Sequence, residues 1–184
     1  MGGAPAIGVI SLPDPCLVVL IGAAGSGKST LAARLFDPES VLSSDAHRAL
    51  VAGDETDQAV TKTAFSILHR RLERRLVERR TTVVDATNVT PYARRSLVRR
   101  ATGKGIPAIA IVLALEPALV RARNATRQGR IVPEPAVSRQ LDDLERSLRH
   151  DGLATEGFAA VHVLRTPREL DELAVDWATP PAPR

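Results

Sequence analysis

Apolar and polar positions fall in blocks along this chain, and the blocks predict strands and helices in turn. "CLVVLI" (16–21) is an apolar run between Pro15 and Gly22, which predicts a strand buried on both faces. The glycine-rich "GAAGSGKST" follows it and leads into "LAARLF", a loop opening a helix. "SVLSS" (40–44) is a second short strand. From Asp57 to Arg80, Ala64, Leu68, Leu72 and Leu76 recur every four residues with charge between them. That spacing predicts an amphipathic helix capped by Asp57. "TTVVDATN" (81–88) predicts a third strand, and Thr90 with Pro91 opens a helix towards Lys104. "IPAIAIVLAL" (106–115) is a fourth strand. A helix starts at Pro117, breaks in "RQGRIVPEP", and is followed by another from about Pro135 to His150. "AVHVL" (160–164) is the fifth strand. Thr166, Pro167 and Glu169 have the spacing of a capping box for a final helix, and "ATPPAPR" is too rich in proline to continue it.

Five strands alternating with helices need crossover connections, so the expected class is α/β, a mostly parallel five-stranded sheet with helices on both faces. Ligands then belong at the carboxyl ends of the strands, where Gly22, Asp45 and Asp85 converge. At 184 residues the chain reads as one domain over 16–178, with 1–15 as an extension and 179–184 as a proline-rich tail or truncated linker. Aromatic residues make up only 3%, which favours an aliphatic core of buried parallel strands. Cys16 is the single cysteine, and neither a secretory signal nor a membrane-spanning run is present, so the expected location is the cytoplasm, with no membrane partner. A formal charge of +4 permits a polyanionic partner. Only Lys28, Lys62 and Lys104 are lysines, so single arginines say little and Lys28 stands out.

Gly22, Gly27, Lys28 and Ser29 satisfy G-x-x-x-x-G-K-[ST] between a predicted strand and helix, the context this phosphate-binding loop (P-loop) requires. Its glycines let backbone N–H groups gather around phosphates, Lys28 reaches the β and γ phosphates, and the Ser29 hydroxyl takes Mg²⁺. Asp85 is placed to hold the metal directly or through a water, and an Asx turn into Ala86 and Thr87 is the alternative. Ser44 or Asp45 can cap "AHRALVA", and Asp45 is also placed as the carboxylate that orients a hydroxyl and takes its proton. Arg48 follows at i+3 on the same helical face, which suits a hydroxyl whose neighbour is an anion. Arg123, Arg127 and Arg130 describe either a basic lid over a triphosphate or a solvated arginine face. "HRRLERRLVERR" and "RRSLVRR" read either as a surface that tracks a nucleic-acid backbone or, better, as exposed helix faces, since they lack the interleaved aromatic residues that favour stacking on single strands.

Taken together, "GAAGSGKST", "VLSSDAHR", "GDETDQAVTKTAFSILH", "TTVVDATNVT", "RARNATRQGR" and "EGFAAVHVL" resemble the 5′-hydroxyl polynucleotide kinases. The likeness is to the kinase module of bacterial RNA end-healing and sealing proteins of the polynucleotide kinase-phosphatase type, and it runs from about residue 16 to 175. It implies a P-loop NTPase fold with a helical lid, using ATP and Mg²⁺. Gly22, Ala23, Ala24, Gly25, Ser26, Gly27, Lys28, Ser29 and Thr30 would bind ATP, with Arg123, Arg127 and Arg130 closing over its phosphates. Lys28, Asp45 and Arg127 would be catalytic, Asp45 as general base for the 5′-hydroxyl, while Ser29 and Asp85 serve the metal. Arg48 would contact the phosphate on the 3′ side of the accepting nucleotide and Gln58 would line the acceptor site. The implied partners are RNA or DNA 5′-hydroxyl ends and, in a longer chain, phosphatase and ligase modules.

Two rival readings use fewer of these residues. A small-molecule P-loop kinase would use the same Asp45 on a sugar, nucleoside or antibiotic hydroxyl, but Arg48 with Gln58 suits an anionic nucleotide better. A regulatory NTP switch would leave Asp45 idle, and no N-K-x-D guanine signature is present.

Overall fold

The computed structural model describes residues 8–44, 58–128, 131–149 and 152–178. Its centre is a five-stranded, fully parallel sheet of β2 (Leu17–Ile21), β3 (Val41–Ser43), β4 (Thr82–Asp85), β5 (Ala108–Leu113) and β6 (Ala160–Leu164), in the order β3-β4-β2-β5-β6. This is the expected α/β sheet, built from the five segments read as strands. Side chains alternate across it because the strand repeat is two residues. Val18 and Leu20 join a core with Leu31 and Ala32 of α1 (Lys28–Leu35). Leu17, Val19 and Ile21 join another with Leu68, Leu72 and Leu76 of α2 (Gln58–Val77) and Leu97 and Val98 of α3 (Pro91–Thr102). Both faces are therefore covered, which explains why these strands read as unbroken apolar runs.

Further along lie α4 (Pro117–Ala125), α5 (Glu134–Leu148) and α6 (Pro167–Glu172). The expected capping box is present at Thr166 and Glu169. Asp57, expected to cap α2, lies outside the described residues. The last helix is shorter than its pattern predicts, because Ala174–Ala178 forms a strand, β7. It pairs in parallel with β1 (Val9–Pro13), which lies in the stretch read as an extension. Leu12 of β1 is fully buried, and Phe36 meets Trp177 edge-on at 6.3 Å between ring centroids. Cys16 is buried, which pushes its thiol up to about 12. No helix among the described residues is long and apolar enough to cross a membrane.

One basic run departs from expectation. Arg94, within "RRSLVRR", is not on an exposed face but fully buried, and all five of its N–H donors find acceptors. Nε and Nη2 form a fork on Glu156, both at 2.7 Å, and Nη2 also donates to Ser147 Oγ at 2.9 Å. Nη1 donates to the carbonyls of Asn88 and Val89 at 3.0 and 2.7 Å. The segment leaving β4 is thereby tied to the far helix α5.

Candidate nucleotide-binding and active site

β2 is where the chain order of the sheet reverses, with β4 on one side and β5 on the other, so a crevice opens at its carboxyl end. The P-loop fills that point. Gly25 and Gly27 sit at φ of 86° and 98°, a left-handed backbone that side chains disfavour. Gly25 is also pressed on α4, where an added Cβ would stand 2.5 Å from the Val120 carbonyl oxygen. Gly25→Ala is accordingly expected to lose at least about 1–2 kcal/mol for the backbone alone and to weaken nucleotide binding. Thermal melting and titration with a fluorescent nucleotide check both.

Lys28 opens α1, and its buried ammonium donates to the Ala23 carbonyl at 2.9 Å, lying across the loop. Next to it Ser29 Oγ donates to Asp85 Oδ2 at 2.7 Å. The register explains the meeting, since Asp85 lies beside Leu20 of β2 and Ser43 of β3. Around these groups is a cleft of about 560 Å³, lined by Ala24, Gly25, Gly27 to Leu31, Ser44, Thr87, Arg123 and Arg127 among others. Arg123 sits over the loop, its Nη1 3.8 Å from where a Gly27 Cβ would be, and Arg127 is half-buried at the cleft wall. Asp45, Arg48 and Arg130 lie outside the described residues, and Gln58 is the first residue of α2.

Three contributors were not legible in the sequence. Gln140 of α5 accepts from the Ala24 amide at 2.8 Å, joining the helix beyond the lid to the P-loop across 116 residues of chain. Asn124 Nδ2 donates to the Val132 carbonyl at 2.8 Å and its Oδ1 accepts from Val132 N at 3.2 Å, so one side chain at the end of α4 holds the backbone of Val132 on both its polar groups. Arg34, on the cleft wall, donates to the carbonyls of Leu170 and Leu173 and ties down the end of α6. Gln140 and Arg34 carry no local signal, because their partners are remote in sequence. Only the Asn124 clamp, spanning eight residues, lies inside a motif singled out above.

Residues 17–150 match AAA_33, the AAA domain family. The chain belongs to this family. No curated protein matches it. Among solved structures, this AAA domain shares its fold with a chain of the Pnkp1/Rnl/Hen1 RNA repair complex at 22% identity and TM-score 0.63, covering 74% of this chain and 46% of that one. It therefore spans less than half the length of that relative. It also resembles an unliganded sugar kinase from Janibacter sp. HTCC2649 (20% identity, TM-score 0.57, 86% of this chain and 91% of that one). A gluconokinase from Sinorhizobium meliloti 1021 gives 19% identity and TM-score 0.54, with 88% of each chain covered. At such identities the likeness establishes the fold, that of a P-loop kinase.

Proposed function

We propose that this AAA domain transfers the γ-phosphate of ATP to the 5′-hydroxyl end of RNA or DNA. The observation that carries phosphoryl transfer is the Ser29–Asp85 pair, 2.7 Å apart at the rim of the glycine-built P-loop. No group of three or more His, Cys, Asp or Glu suited to a metal gathers among the described residues. One hydroxyl and one carboxylate fit Mg²⁺, which completes its shell with water and substrate phosphates. Ser29 would bind the ion directly and Asp85 directly or through its water, and the ion would neutralise charge on the phosphates.

Lys28 would engage the β and γ phosphates from its place in the P-loop, and Arg123 and Arg127 would close over them, with Arg130 beside them. Asp45 takes the proton of the 5′-hydroxyl as that oxygen bonds to the γ-phosphorus. The bond from γ-phosphorus to the bridging oxygen breaks and ADP leaves. Arg48 engages the phosphate on the 3′ side of the accepting nucleotide, and Gln58 lines the same site. The motif resemblance and the fold shared with a chain of an RNA repair complex support this acceptor.

A small-molecule kinase is the second reading, favoured by matches over nearly the whole length of a sugar kinase and a gluconokinase. Transfer of labelled γ-phosphate to a panel of 5′-hydroxyl oligonucleotides, 3′-nucleotides, nucleosides and gluconate separates the two. Transfer to the first two and not the others is expected. Transfer to gluconate or a nucleoside alone overturns the polynucleotide acceptor and leaves the kinase. Arg127→Ala is expected to slow turnover by on the order of 10², the worth of one group stabilising developing charge, without lowering the melting temperature. Loss of both in proportion would mark a structural arginine.

A further inference from the structure

We infer that the groove between α2 and α3 is a track for the unpaired strand of a 5′-hydroxyl polynucleotide, holding the nucleotides that follow the accepting one. The inference rests on the proposed acceptor and specifies how it is held. The groove has a volume of about 960 Å³, larger than the nucleotide cleft at about 560 Å³. The two adjoin, since Phe65 and Ala86 line both. Ala86 directly follows Asp85, so the groove begins at the edge of the site where the hydroxyl would react.

Its chemistry is that of single-strand binding. The whole chain has three Phe, one Tyr and one Trp, and two of these five rings stand exposed here: Tyr92 at 84% and Phe65 at 37%. Leaving scarce aromatic surface in water is unfavourable unless something covers it. The His69 ring lies 6.4 Å from Phe65. Burial, reinforced by the Arg100 charge, holds His69 below the usual imidazole range, so it adds a neutral flat face.

The electrostatics match a phosphate backbone. Glu73 is the one carboxylate among the described lining residues, and it is tied to both Arg100 and Lys104 at 2.6 Å. Arg70 lines the groove, is exposed, and has no acidic partner among the described residues. Arg100 keeps a buried Nε without a hydrogen-bond partner. The lining therefore carries more positive than negative charge beside unstacked rings. Bases stack on such rings only when unpaired, and arginines follow the backbone. A sugar or nucleoside acceptor would fill the nucleotide cleft and leave this groove unused.

The test measures anisotropy of a 3′-labelled 5′-hydroxyl dodecamer, with transfer kinetics on the dodecamer and on a 3′-nucleotide. Tyr92→Ala should weaken dodecamer binding about tenfold, the effect of one lost base stack. It should raise KM for the dodecamer far more than for the 3′-nucleotide, at an unchanged melting temperature. Arg70→Ala should reduce the slope of log Kd against log salt by about 0.7, one phosphate contact on a single strand, whereas Tyr92→Ala should not. Arg146→Ala, on the exposed side of α5, serves as the control. Wild-type binding by both groove variants, or a blunt duplex bound as tightly as the single strand, overturns the groove and leaves the kinase reading standing. Absence of transfer to every 5′-hydroxyl nucleotide, with transfer to gluconate, overturns the groove and the polynucleotide acceptor together and leaves only a small-molecule kinase.

Discussion

Asparagine in place of Asp45 is expected to leave nucleotide affinity close to wild type and to slow phosphoryl transfer by roughly 10² to 10⁴, the usual worth of a general base. The substitution separates two roles that this position can hold in the sequence. Asparagine caps a helix about as well as aspartate, so a capping residue would tolerate it. A base would not, because the amide cannot take the proton from the attacking hydroxyl. Single-turnover transfer from labelled ATP, run beside thermal melting, reads the two roles independently. Full activity with unchanged melting would leave Asp45 only the cap.

Arg94→Ala is expected to destabilise the fold by about 3–5 kcal/mol, because it strands the Glu156 carboxylate in the interior. The exposures of the two side chains, 0% and 2%, leave solvent no means of screening the orphaned charge. For a chain of this size that corresponds to a fall in melting temperature of roughly 10 °C. Replacing both partners, Arg94→Met with Glu156→Leu, should recover much of the loss, since no charge is then left unpaired. Calorimetric melting of the single and double variants checks this, and a double variant no better than the single would assign the loss to the carbonyls of Asn88 and Val89 instead. Those carbonyls matter for the site as well. Thr87, one residue before them, accepts from Gly22 N at 2.9 Å, and Asn88 Nδ2 donates to the Leu20 carbonyl at 2.8 Å. The buried arginine thus holds the exit of the Asp85 strand against the P-loop strand.

Both basic runs show where reading along the chain misleads. Arg94 sits among three other arginines within seven residues and carries no mark that distinguishes it from them. Its burial depends on Glu156, 62 residues away, and on Ser147, which only the packing of α5 brings near. Phe65 and Tyr92 flank the two runs rather than interleave with them, so a stacking surface was not visible until α2 and α3 came side by side. The pairing of β1 with β7 is of the same kind. Two short segments at opposite ends of the chain acquire strand structure from each other, with no apolar run of their own to announce it.

What the sequence by itself determined is the set of features whose interactions close within a few residues. The apolar runs of β2 and β5 specify strands because a doubly covered strand needs every side chain apolar, and the shorter β-branched segments of β3, β4 and β6 are read from their turn-bounded length. The P-loop is readable because its glycines, lysine and serine act within eight consecutive residues. The capping box at Thr166 is readable for the same reason. The pairing of Ser29 with Asp85 was expected from their places after two strands, whereas tertiary structure alone decided that Gln140 meets the Ala24 amide, Arg94 meets Glu156, and the rings of Phe65 and Tyr92 lie along one groove. Those meetings depend on strand order and helix packing, which are set by burial summed over the whole molecule and leave no periodic trace in any one segment.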